Sequence, residues 1–313
     1  MVASTWLCEL SSLQVLRELR LRFWELTDAA TAGAAVRFPS LPSLAHLNVT
    51  VWQGPPELHI ELDDLPALTE LELNGGRAAL QASRPVPKLQ RLSNYAEKLA
   101  VDFGALPCLK SATFYTSRQL DAPASIAAAT ALTYLELNIA EDEWDPSALE
   151  LLRSLAPSVR CVSMGEHWPQ EAADLLGNMT NLVGLELRYA TFTPLLADDA
   201  PVWAGLRAFG SCSLMTNDER AAVPKGLRQA SKLEVLQVMW SNPTIEDMDV
   251  LTSIPALRKL FVYGYSWRAS DPVGSAVLNL SRRALPQVEV VLDAADFGEE
   301  FFQLWCAQLG PNP

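Results

Sequence analysis

Three histidines, five cysteines and three acidic clusters are the side chains of this 313-residue sequence whose types could carry catalysis or hold a metal. His46, His59 and His167 match neither the HExxH spacing nor a Cys/His zinc pattern, both of which need ligands close together on one turn or loop. Cys8, Cys108, Cys161, Cys212 and Cys306 are odd in number, lie far apart and form no CxxC pair, so they read as small apolar residues kept reduced. No GxSxG elbow and no GxxxxGK[ST] loop occurs, and Asn74-Gly75-Gly76 reads as a turn after a strand. The acidic clusters are Glu141-Asp142-Glu143-Trp144-Asp145, Asp198-Asp199 and Glu246-Asp247-Met248-Asp249. Clustered oxygens suit Ca²⁺, but the EF-hand spacing is missing. Each cluster precedes or begins a helical stretch, where solvated carboxylates complement the helix dipole. The expectation is therefore a protein without catalytic residues, metal or cofactor. A hydrolase would need these scattered groups to converge on one cleft, and it is kept as the minor alternative.

The elements that would position any site follow from an internal repeat. An LxxLxL phrase recurs as LPSLAHLNV from Leu41, LPALTELEL from Leu65, LPCLKSATF from Leu106, ATALTYLEL from Ala129, MTNLVGLEL from Met179, ASKLEVLQV from Ala230 and IPALRKLFV from Ile254. Weaker copies begin at Leu13, Val86, Ala156, Trp203 and Leu285, so the phrase occurs about twelve times at intervals of 20 to 31 residues. Alternate residues of LxL point to one side of a short strand. One such unit cannot bury its own leucines, but stacked units can, with all strands parallel. Strands are expected at 19–22, 47–50, 71–74, 135–138, 185–188, 236–239 and 260–263, with Leu71, Leu73, Leu135, Leu137, Leu185, Leu187, Leu260 and Val262 buried.

The segments between phrases return the chain across the other side. Asp145-Pro146 and Asp271-Pro272 offer an N-cap followed by proline at the first helical position, and Pro169 opens another helical run. Thr244 followed by Asp247 resembles a capping box. The short spacings around Leu89 and Leu109 leave little room for a helix and predict turns. The repeat domain is expected over 1–293, and Phe297, Phe301, Phe302, Leu304, Trp305 and Leu309 predict a capping helix over 294–313. The net charge of −13 disfavours nucleic acid and anionic lipid as partners. The N-terminus has no signal-peptide pattern and no stretch is long and apolar enough to span a bilayer, so a cytoplasmic or nuclear monomer is expected.

The phrases resemble the leucine-rich-repeat family, nearest its cytoplasmic ribonuclease-inhibitor-like and F-box-associated kinds. The family's terminal Asn is replaced by Gly76, Ala140, Ala190 and Ser241 in four copies. The resemblance implies an α/β solenoid, or horseshoe, with a parallel concave sheet and a convex face of mixed helices and turns. It also implies a non-enzymatic scaffold that binds a protein partner on the concave face. A more specific version is the substrate-recognition arm of an F-box-type ubiquitin ligase, although no F-box is seen. The middle residues of successive strands run Arg20, Asn48, Glu72, Ser93, Thr113, Glu136, Ser163, Glu186, Gly210, Gln237 and Phe261. The last two repeats with a clear phrase turn apolar and aromatic, so Gln237, Met239, Trp240, Lys259, Phe261 and Tyr263 are the expected partner-binding residues. Acidic Glu72 and Glu136 are the second expectation.

Overall fold

The computed structural model describes residues 10–23, 35–37, 40–51, 58–62, 65–75, 77–82, 84–95, 98–116, 119–121, 128–139, 146–165, 168–188, 196–212, 223–239, 244–263, 279 and 282–293. The chain divides into two units, Met1–Ser158 and Val159–Pro313. The segment expected to cap the C-terminus, the start of the helix after Asp271-Pro272, Trp240 and His167 lie outside the described residues.

In the first unit each LxL becomes a strand: β1 (Glu18–Phe23), β3 (His46–Val51), β5 (Glu70–Asn74), β7 (Arg91–Tyr95), β9 (Ser111–Thr116) and β11 (Tyr134–Ile139). These pair in that order, all parallel. Middle residues pair with middle residues, as in Asn48 with Glu72. The second unit repeats the plan with β12 (Cys161–Met164), β13 (Gly184–Arg188), β14 (Ala208–Cys212), β15 (Val235–Met239), β16 (Lys259–Tyr263) and β17 (Glu289–Asp293). Among the described residues each unit thus contributes six of these parallel strands, one per phrase, and the architecture is the leucine-rich-repeat solenoid. All seven expected strands are present. The eight ladder residues named above are buried, the most accessible being Leu187 at 7%.

Two backbone devices set the register. The first leucine of a phrase accepts from the amide of the fourth, as Leu41 does from Leu44 (3.1 Å) and Leu65 from Leu68 (3.1 Å), which closes a tight turn into the strand. The carbonyl of the next residue then accepts two amides from the following repeat. Arg17 O takes Ala45 N (2.8 Å) and His46 N (3.0 Å), and Ala45 O takes Thr69 N (2.8 Å) and Glu70 N (3.0 Å). Arg160, Val183 and Arg207 do the same in the second unit. Because main-chain atoms close the joint, the side chain at this position can vary, and where it is threonine, as at Thr69 and Thr133, its hydroxyl adds a bond to the same carbonyl.

The return segments differ between the units. In the first, β2 (Ala35–Arg37), β4 (Leu58–Glu61), β6 (Arg77–Gln81), β8 (Lys98–Val101) and β10 (Gln119–Asp121) form a second parallel sheet. Turns are expected around Leu89 and Leu109, where β6 and β8 stand instead. A 20-residue period excludes a helix but still holds three to five extended residues, and stacking at a fixed interval lets their backbones pair. Gly75, with φ of 80°, makes the turn between β5 and β6, as Asn74-Gly75-Gly76 predicts. A Cβ there would lie 2.0 Å from the Val51 carbonyl oxygen, so glycine is required. The last return of this unit is the helix α1 (Pro146–Leu155), which buries Leu151, Leu152 and Leu155.

In the second unit the returns are helical: α2 (Gln170–Gly177), 3₁₀ turns at Pro201–Gly205 and Lys225–Gln229, and α3 (Ile245–Thr252). The capping box at Thr244 is formed. Its hydroxyl accepts from Asp247 N, and the Asp247 carboxylate accepts from Thr244 N at 2.7 Å. The other Asp247 oxygen accepts from Val223 N, 24 residues earlier, at 3.0 Å. This buried carboxylate therefore ties α3 to the preceding repeat, which explains one member of the acidic cluster without a metal. Asp247→Ala is expected to destabilise the protein by about 2–3 kcal/mol, because it strands a buried amide and removes a cap. Chemical denaturation measures this, and a loss below about 0.5 kcal/mol would refute the assignment. Among the described residues no helix is long and apolar enough to cross a membrane.

Candidate interaction face

Ladder residues fill one side of each sheet, so the alternate residues define an opposite, open face. In the first unit this face has three rows that run across the strands. The first is Glu18, His46, Glu70, Arg91, Ser111 and Tyr134; the middle is Arg20, Asn48, Glu72, Ser93, Thr113 and Glu136. The last is Arg22, Thr50, Asn74, Tyr95, Tyr115 and Asn138. The middle row is the one the phrase alignment predicts.

These side chains are held by one another. Arg20 Nε donates to Glu18 at 2.6 Å. Glu70 lies between His46, with Nδ1 at 2.9 Å, and Arg91, with NH1 at 3.4 Å. Glu72 accepts from two neutral amides, Asn48 Nδ2 at 2.7 Å and Asn74 Nδ2 at 2.9 Å. Thr50 donates to Asn48 at 3.2 Å. Glu136 is 1% exposed and accepts from Tyr115 OH (3.0 Å), Thr113 Oγ1 (3.3 Å) and Tyr134 OH (3.3 Å). The Tyr95 and Tyr115 rings stack with centroids 4.6 Å apart and planes at 24°. Asn48, Thr50, Glu72, Asn74, Ser93, Tyr95 and Tyr115 are all half-buried, so each keeps part of its surface in solvent.

The open face of the second unit is different. Ser163, Glu186, Arg188, Gly210, Gln237 and Phe261 are all buried. Glu186 accepts from Arg188 Nε (2.8 Å) and NH2 (2.6 Å) and from Ser163 Oγ (2.8 Å). Gly210 stands opposite Glu186 in register, and a Cβ there would come within 3.2 Å of Glu186 Cγ, so its lack of a side chain makes room for the pair. Arg207 and Glu234 make a further ion pair at 2.6 Å.

The expected partner-binding residues fall into three groups. Gln237 and Phe261 are 3% exposed, and their surface is already covered. Lys259 is partly exposed, with Nζ 5.1 Å from the Phe261 ring centroid and 3.4 Å from a Glu289 oxygen. Met239 and Tyr263 face each other across β15 and β16 in register, as expected, but their side chains, like Trp240, lie outside the described residues. Glu72 and Glu136 belong to the first-unit network, one half-buried and the other covered by its three hydroxyl donors. Sequence reasoning did not single out the tyrosine stack or the Glu186–Arg188 pair. The stack needs the last row to be compared across β7 and β9, and the ion pair needs residues two apart on β13 to be read together.

His46 meets Glu70, whereas His59 lies on β4 in the second sheet, so the topology keeps them apart. Among the described residues no group of three or more His, Cys, Asp or Glu is placed to hold a metal ion.

No family model and no curated protein matches the chain. Solved structures do. An internalin from Listeria monocytogenes is 15% identical, covers 84% of this chain and 86% of its own, and superposes with a TM-score of 0.35. A leucine-rich-repeat protein of Leptospira interrogans is 15% identical, with 90% and 91% covered and a TM-score of 0.31. TLR13, solved in complex with ssRNA13, is 14% identical with a TM-score of 0.41, and the match takes in 91% of this chain but 53% of TLR13.

Proposed function

We propose that this chain is a non-enzymatic scaffold that binds a protein partner on the open face of its first unit, across Asn48, Glu72, Asn74, Tyr95 and Tyr115. The observation that carries the reading is the state of those side chains. They are partly exposed, yet already fixed by hydrogen bonds within and between strands and by ring stacking. A surface ordered before binding loses little side-chain entropy on association. Tyrosine also supplies a large contact area with few rotatable bonds. On the second unit, Gln237 and Phe261 are covered, so Lys259 is the described group of the expected aromatic patch that a partner can reach.

Tyr95→Ala combined with Asn74→Ala is expected to weaken partner binding by about 2 kcal/mol, roughly thirtyfold, if Tyr95 is a hot spot. Thermal stability should change little, because both residues are on the open face. The measurement is capture from an extract of the native cell with wild-type and doubly substituted protein, followed by titration of the retained partner. Equal retention by both proteins would remove the first unit from the interface.

A further inference from the structure

The charge balance of the first-unit face is uneven. Arg20 and Arg91 lie against Glu18 and Glu70, the second of which also meets His46, and Arg22 stands two strands away from Glu72 in the last row. Glu72 is held by amide donors alone, so its negative charge meets no cation among the described residues. Each Glu72 oxygen accepts one hydrogen bond in this arrangement and retains capacity for a second. Tyr95 stands on the adjacent strand one pleat further along, a diagonal distance of roughly 7–8 Å between backbones. Tyr115, stacked against Tyr95, donates a hydrogen bond from its phenolic O–H to the Glu136 carboxylate, which fixes the ring pair, and the faces of such rings attract cations. Ser93, between Glu72 and Thr113 in the middle row, is short and leaves the approach open.

We propose that the partner presents an arginine side chain to this face, its guanidinium lying flat on the Tyr95–Tyr115 stack and forking onto Glu72. The inference rests on the first-unit reading given above and names the chemistry of its ligand. A planar guanidinium is weakly hydrated, stacks on aromatic rings and matches a carboxylate with two parallel N–H donors. A lysine ammonium is more strongly hydrated and offers one point of charge. A phosphate or acidic segment would meet Glu72 and the net charge of −13 with repulsion. The occupant is therefore an extended protein segment that carries arginine.

The probe is a fluorescein-labelled Gly/Ser peptide bearing three spaced arginines, followed by anisotropy at about 0.15 M salt, where long-range attraction is screened. Lysine and glutamate versions serve as comparisons. The arginine peptide is expected to bind tightest. Glu72→Gln and Tyr95→Leu should each weaken it about tenfold, through loss of the fork and of the stacking surface. Glu150→Gln, which makes the same change of charge on α1, should leave it unaltered. Equal weakening by Glu72→Gln and Glu150→Gln would reduce the effect to net charge and overturn the proposal. Full displacement by an equal concentration of spermine would assign the site to polyamines and overturn it too. Failure of the peptide to bind, while Tyr95→Ala with Asn74→Ala still loses the cellular partner, would reject arginine and keep the first-unit interface. Failure of both would reject the interface itself.

Discussion

Leu135→Asp is expected to unfold the first unit at ordinary temperature. Leu135 is 0% exposed at the centre of the ladder, in register with Ala112 of β9. An aspartate there would place an ionised carboxylate on the buried side of the sheet, beside the register positions of Ala112, Leu137 and Phe114. Removing the leucine alone costs about 2–5 kcal/mol, the figure expected of Leu135→Ala. The buried, unpaired carboxylate adds several kcal/mol more, or else takes up a proton at a similar cost. The sum reaches the whole stability of an ordinary domain, about 5–15 kcal/mol. Because a repeat is stabilised by its neighbours, the loss spreads to β9 and the strands stacked beyond it. Far-ultraviolet circular dichroism against temperature measures the outcome. A melting curve that overlays the wild type would refute the placement of Leu135 in the core.

Glu186→Ala carries the second largest effect, about 3–5 kcal/mol of destabilisation. Both members of the Glu186–Arg188 pair are buried, with side chains 2% and 6% exposed. Removing the carboxylate leaves the guanidinium in a medium that solvates it poorly, and it strands the Ser163 hydroxyl as well. The cost belongs to the buried charge that loses this carboxylate rather than to the bond. Glu186→Leu combined with Arg188→Leu should therefore be far milder than either single change, since two leucines restore an apolar surface. A double-mutant cycle in urea tests this directly. Single variants that lose less than about 1 kcal/mol would mean that solvent reaches the pair, contrary to its burial.

Much of this molecule was legible because its fold is one-dimensional. Each LxL strand has the same two faces, so aligning the phrases places both the core and the middle row of the open face. Asn48, Glu72, Ser93, Thr113 and Glu136 stand side by side in the order the alignment gave. The helix starts expected at Pro146 and Pro169 and the capping box at Thr244 are also present, since they depend on residues within one turn, while Asp145, the expected cap of the first, lies outside the described residues. The second sheet was not legible. Its strands, such as Arg77–Gln81 and Lys98–Val101, are short and have no regular alternation, and they pair because the primary ladder brings them into line. Exposure was not legible either. Position in the row says that Phe261 turns away from the ladder, but its 3% accessibility depends on what else packs there. For the same reason Glu136 and Glu72, alike in sequence context, differ in access: three hydroxyl donors close over one, and two amides flank the other.

The paired amides at the foot of each strand make successive rungs interchangeable parts. Ala45 O receives Thr69 N and Glu70 N, and Thr69 O receives Gln90 N and Arg91 N, through identical main-chain geometry. If residues 69–89 were excised, Gln90 would stand where Thr69 now does and offer Ala45 the same two donors. The joint would close with the ladder, the turn and the second-sheet strand each one member shorter. Such a chain can lengthen or shorten by whole periods through duplication or loss of gene segments, and every intermediate length retains a closed joint. The intervals of 20 to 31 residues are uneven for the same reason: the return path can differ in length from one rung to the next while the main-chain joint stays the same.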